Sequence, residues 1–206
     1  MRTGSTPGET LSDEAITGAV AAEAGWMEDL LVRLVEAPTT LGNEEPGQAV
    51  MEEAFRDCGL GPRSVHLNAN ALRNAEGASP FSWDVEGKRN VVAGWPAGGS
   101  SGRSLILNGH VDVVPPAAGE LWTNPPFRAV REGDWIYGRG AGDMKAGLAA
   151  MTGAVRGLIR AGYAPAADVE LQSVVEEECT GHGALQCLLD GARTDACVIT
   201  EPPPIT

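Results

Sequence analysis

Three acidic residues in succession, Glu176-Glu177-Glu178, close an apolar run from Val169 to Val175. Like charges crowded at the end of a buried strand raise the cost of ionising one another, and packing alone gives no reason to put them there. A multivalent cation removes that cost. The same arrangement occurs twice more: Leu105-Ile106-Leu107 leads into Asn108-Gly109-His110-Val111-Asp112, and the run 196–200 leads into Glu201. Asp143 follows the Gly-rich stretch 138–142 and opens a helical pattern. One imidazole with several carboxylates suits a divalent ion such as zinc, cobalt or manganese. In an extended strand the side chains of His110 and Asp112 share a face. Asp112 is therefore placed to accept the second ring N–H of His110 and fix its tautomer.

These residues need a scaffold that gathers them. Apolar runs at 104–110, 168–175 and 196–200 read as strands, with shorter strands at 65–67, 90–95 and 135–137. Helical spacing marks a segment that starts at Ser12-Asp13-Glu14 and stops near Pro38, and others over 46–58, 144–160 and 180–190. The stretches 68–88 and 115–132 read as loops. In the segment 144–160, Leu148, Met151, Val155, Leu158 and Ile159 form one face, and its small residues suit close packing on a sheet. Strands alternating with helices predict an α/β fold with a mostly parallel central sheet flanked by helices. In such sheets ligands collect beyond the C-terminal ends of the strands. His110, the Glu176–Glu178 cluster and Glu201 are thus predicted to meet at one edge, with Asp143 pointing to it from its loop.

Composition narrows the function. The 206 residues carry a net charge of −13, whereas a nucleic-acid partner needs a basic stripe. No apolar run approaches the roughly 18 residues of a membrane span. The stretch 1–10 is polar and Gly-rich, without the apolar segment of a secretory signal, and reads as a disordered tail. Cys58, Cys179, Cys187 and Cys197 form no C-x-x-C pair, which favours reduced thiols in a cytoplasm over disulfides or zinc–thiolate ligation. Gly138-x-Gly140-x-x-Asp143 lacks the third glycine of a dinucleotide fingerprint. No P-loop and no Gly-x-Ser-x-Gly elbow appears. His66 and His182 read as structural, and Trp122 and Phe127 either line the site mouth or pack on the domain.

Taken together, His110-Val111-Asp112, Gly138-Arg139-Gly140-x-x-Asp143-Met144-Lys145, the Glu177-Glu178 pair and Glu201-Pro202 resemble the zinc-dependent amidohydrolases and metallopeptidases. This is the family of acetylornithine deacetylase, succinyl-diaminopimelate desuccinylase, aminoacylase and glutamate carboxypeptidase. The steps of 33 residues from His110 to Asp143, 34 to Glu177 and 24 to Glu201 are consistent with it.

The resemblance implies roles for these positions. Asp143 would bridge two divalent ions, most readily zinc, with cobalt or manganese as alternatives. His110 and Glu201 would be terminal ligands of one ion and Glu178 a ligand of the other. Glu177 would be the general base, Asp112 the partner of His110, and Glu176 would take no catalytic part. A one-residue slip would instead make Glu176 the base and Glu177 the ligand. A cis peptide is implied at Asp143-Met144.

The expected reaction is hydrolysis of a linear amide, most simply deacylation of an N-acyl amino acid or similar small amide. Water held between the ions would give its proton to Glu177. A dipeptidase, a carboxypeptidase, a deformylase of the same family, or an inactive metal-binding fragment are the alternatives. The family's further metal-binding His, its lid and its dimerisation domain have no counterpart in the sequence. Residues 11–206 are accordingly expected to be the N-terminal part of a di-zinc peptidase-like catalytic domain, truncated before the lid. Such a piece should turn over little alone, and the full-length protein should be a homodimer.

Overall fold

A computed structural model describes residues 12–99 and 101–202. The tail at 1–10 lies outside the described residues. The helices are α1 (Asp13–Ala21), α2 (Ala24–Glu36), α3 (Glu45–Asp57), α4 (Ala69–Asn74), α5 (Ala146–Arg160) and α6 (His182–Leu189). The strands are β1 (Gly61–His66), β2 (Arg89–Trp95), β3 (Leu105–His110), β4 (Val130–Glu132), β5 (Trp135–Tyr137), β6 (Val169–Val174) and β7 (Ala196–Ile199).

The central sheet has the order β1-β2-β6-β3-β7. β3 pairs in parallel with both β6 and β7, while β2 runs antiparallel to β6 and to β1. Four of the five strands therefore point the same way, and β2 alone is reversed. This is the α/β layout expected from the alternating pattern.

Side-chain alternation along β2 assigns the two faces. Val91 and Ala93 join the main core with Leu30, Leu34, Met51, Phe55, Leu148, Met151 and Val155 from α2, α3 and α5. Val92 turns to the other face and packs with Val65, Val174 and Cys187 under α6. Cys58 and Cys187 are buried thiols, each pushed up to about 12, burial being the main cause.

Four local readings are revised. The helical stretch before Pro38 is two helices, broken at residues 22–23, where buried Glu23 pairs with Arg156 and Arg160. The small residues of α5 serve helix contacts as well as the sheet: a Cβ on Gly157 would lie 2.6 Å from the Ala19 carbonyl, and one on Gly153 would lie 2.2 Å from Met27. Part of the polar stretch 68–88 forms α4, capped by the Asn68 side chain accepting from Ala71 N–H. The end of the 115–132 loop pairs with 135–137 as a small β4–β5 hairpin.

Gly183 in α6 shows how tightly the far end of β6 is held. A Cβ there would meet the Val175 carbonyl oxygen at 2.1 Å and the Val175 nitrogen at 2.7 Å. Asn90 ties the same place together, donating to the Gly183 carbonyl at 2.8 Å and accepting from Val175 N–H at 3.1 Å. Backbone cannot yield as a flexible side chain would, so Gly183→Ala should destabilise the fold by about 1–3 kcal/mol. A denaturant titration checks this; unchanged stability would show that α6 is free to shift.

Candidate metal centre

The parallel register brings three strand ends together. His110 stands opposite Val174 across the β3–β6 pair, two residues before Glu176, and Asn108 stands opposite Ile199, two residues before Glu201. Asp143 enters from an irregular turn at 141–145. Gly140 begins that turn with φ +75°, and a Cβ there would sit 2.3 Å from Val113. Glycine is required at this point for both reasons. The Asp143–Met144 peptide is cis, as the resemblance implied.

His110 is fully buried, and its Nε2 faces outward to the acids. Asp143 Oδ1 lies at 3.2 Å, Glu177 Oε2 at 3.6 Å and Glu201 Oε1 at 3.6 Å. Donor atoms of His110, Asp143 and Glu178 all fall within 4.8 Å of one another. The carboxylates reach solvent while the imidazole does not: Asp143 is 58%, Glu177 51% and Glu201 39% exposed. All six predicted site residues therefore share one sheet edge.

The expected Asp112–His110 contact takes a different form. His110 Nδ1 pairs with the backbone carbonyl of Asp112 at 2.9 Å, and the Asp112 carboxylate stands off at 3.6 Å. β3 ends at His110, so residue 112 lies beyond the strand whose side-chain alternation the expectation used. The carboxylate instead accepts the backbone N–H groups of Glu177 at 3.2 Å and Glu178 at 3.1 Å. Asp112 thus fixes the imidazole through its carbonyl and the acid turn through its side chain.

Glu176 leaves the cluster. It is fully buried, and its carboxylate accepts from Lys88 Nζ at 2.6 Å and Trp83 Nε1 at 2.9 Å. One of the three successive acids is thus neutralised by a lysine and needs no metal. Lys88 also donates to Glu44 at 2.8 Å. Burial pulls the Lys88 amine down, but its bonds to the two carboxylates outweigh this and raise it.

The remaining acids behave as an uncompensated group. Burial raises the Glu178 carboxyl, and the charge of Asp143 adds to it. Burial likewise raises Glu201, helped by its hydrogen bond with Asp143. Burial pushes Asp112 up to about 6 against the opposing pull of His110 and the two N–H groups. His110 is lowered by burial but raised further by the charges of Asp112 and Glu177. Such a site favours a cation at its focus, and one imidazole with several carboxylate oxygens fits a divalent ion.

Sequence reading gave no role to Lys145, although it stands in the Asp143-Met144-Lys145 motif. Its ammonium is fully buried and donates to the carbonyls of Leu34 at 2.8 Å and Ala37 at 3.0 Å, fastening the Asp143 turn to the end of α2. Burial brings its amine down to about 7. His182 is structural, as expected: its Nε2 pairs with the Ser79 carbonyl at 3.0 Å and its ring meets Phe81 edge-on. Trp122 packs under the Arg139 guanidinium and, with Tyr137 and Gly142, lines an open cavity of about 580 Å³ beside the Asp143 turn.

An open α/β sheet here carries an imidazole and a group of carboxylates beyond its parallel strand ends. Residues 106–205 match the pattern of peptidase family M20/M25/M40. It is 41% identical over 139 residues to succinyl-diaminopimelate desuccinylase of Paracoccus denitrificans, covering 64% of this chain and 36% of that one. It is 37% identical over 130 residues to N-formyl-4-amino-5-aminomethyl-2-methylpyrimidine deformylase of Bacillus subtilis, covering 62% and 30%. Human carnosine dipeptidase 1 shares the fold with a TM-score of 0.69 at 18% identity, over 90% of this chain and 40% of that one. The chain thus spans about a third of the length of these curated relatives.

The Asp112 clamp is directly testable. Asp112→Asn replaces an acceptor-only carboxylate with an amide, and metal affinity should fall about 10–100-fold. Calorimetric titration with zinc measures it; an unchanged affinity would remove Asp112 from the site.

Proposed function

We propose that this chain supplies the metal-binding half of the active site of an amidohydrolase, one that removes a small acyl group from nitrogen by hydrolysis. The observation carrying this reading is the approach of His110, Asp143 and Glu178 donor atoms to within 4.8 Å from separate parts of the chain. A desuccinylase and a deformylase among its relatives, both acting on small N-acyl amides by name, support a linear amide as substrate.

His110, Asp143, Glu178 and Glu201 would hold the divalent ions, with zinc the favoured metal. Bound there, the ions supply Lewis acidity and lower the pKa of water. Glu177 is the general base. Its carboxylate lies 3.6 Å from His110 Nε2 and is half exposed, so it faces the same focus while remaining open to substrate. It takes a proton from the attacking water and returns it to the leaving nitrogen. Asp112 holds Glu177 and Glu178 in place through their N–H groups. Glu176 is bonded to Lys88, which favours Glu177 over Glu176 as the base.

No helix among the described residues is long and apolar enough to cross a membrane, and a cytoplasmic location fits the unpaired thiols. The remaining ligands, the substrate-binding groups and the homodimer contact are assigned to parts of the protein outside these residues.

Two outcomes follow. In the natural polypeptide, Glu177→Gln should keep its metal content and lower kcat by about 10²–10⁴-fold toward N-succinyl or N-formyl substrates. Normal turnover would remove Glu177 from the mechanism. The 206-residue chain by itself should bind metal yet show little amidase activity, and robust turnover from it would refute the assignment of essential groups elsewhere.

A further inference from the structure

We propose that Lys88 is a positioning residue for the acid pair Glu177-Glu178, acting through the buried carboxylate of Glu176. The inference rests on the metal-centre reading above and adds to it a residue that no motif contains.

Glu176 has φ +63°, and among the described residues only it and Ala117 hold such a value without being glycine. A side chain in this left-handed region is strained, and such residues persist where their surroundings over-determine them. Here the surroundings do so from every side. Glu176 Oε1 accepts from Lys88 Nζ and Trp83 Nε1, and Oε2 accepts from Thr180 Oγ1 at 3.3 Å. Its carbonyl accepts the N–H groups of Cys179, Thr180 and Gly181 at 3.4, 3.0 and 2.9 Å.

The torsion at Glu176 sets the direction in which the next two residues leave the strand. Asp112 grips those residues from the opposite side by their N–H groups. The acid turn is therefore held between two supports, one continuing from β3 and the other anchored by Lys88 just ahead of β2. Lys88 is also the ammonium shared by two buried carboxylates, Glu176 and Glu44. Removing it leaves those two charges without their common counter-ion, a change that costs far more than removing the pair together. Where the carboxylate does not take up a proton, the turn relieves this by letting Glu176 swing out, which redirects Glu177 and Glu178.

Cobalt(II) titration of the 206-residue chain tests this, because the d–d absorption of the bound ion reports ligand geometry without needing turnover. Lys88→Met should lower cobalt affinity about tenfold or more and shift the absorption bands while far-ultraviolet circular dichroism is retained. Glu176→Gly accepts the left-handed torsion without strain but loses the carboxylate, and it should show the same loss and shift. If Lys88→Met does not fold, Glu176→Gly decides alone. Parent-like affinity and spectrum in a folded Lys88→Met or in Glu176→Gly would overturn the inference and leave the metal centre standing. A parent chain that binds no cobalt would overturn the metal-centre reading, and this inference with it.

Discussion

Carboxylates repel one another, and this structure gathers five of them, Asp112, Asp143, Glu177, Glu178 and Glu201, around one buried imidazole. Only a scaffold with strong reasons of its own can hold such a group. The reasons lie outside the acids themselves: a parallel β6–β3–β7 register fixed by the sheet ladder, and a core of apolar side chains beneath it. Burial raises the carboxyls of Glu178 and Glu201, and their contacts with Asp143 add to it. Electrostatic discontent at a rigid edge is what makes a site receptive to a divalent cation.

The supports of the site are mostly not its ligands. Asp112 spends its carboxylate on two backbone N–H groups, Lys145 fastens the Asp143 turn to the end of α2, and Lys88 neutralises the first acid of the cluster. Thr39 adds another brace: its hydroxyl donates to the Val111 carbonyl at 2.6 Å, and its backbone carbonyl accepts Val113 N–H at 3.0 Å. These groups are buried and polar, and each is paired. That pairing is what allows them to sit inside the domain at all. Precision at the donor atoms therefore comes from a shell of hydrogen bonds around the loops rather than from the loops themselves.

Family likeness and geometry carry different parts of the functional reading. The shared pattern over 106–205 likens that stretch to peptidase family M20/M25/M40. Solved structures at low identity add the fold and nothing finer. The geometry adds which of the three successive acids faces the centre. It separates Glu176, tied to Lys88, from Glu177 and Glu178, tied by their backbones to Asp112.

The sequence by itself determined the strand ends, the α/β class and the identity of the residues that converge, because period, glycine placement and motif spacing are local properties written along the chain. It also marked the Gly-rich turn and the helix that follows. Only the tertiary structure decided the fate of Glu176, the true partner of Asp112, the hidden roles of Lys88 and Lys145, the break between α1 and α2, and the reversal of β2. Each of these depends on groups far apart in sequence, such as Lys88 and Glu176, that meet only once the sheet is assembled. A charge reads the same in a one-dimensional string whether it will face a cation, a lysine or water; burial and neighbours, which exist only in three dimensions, make the choice.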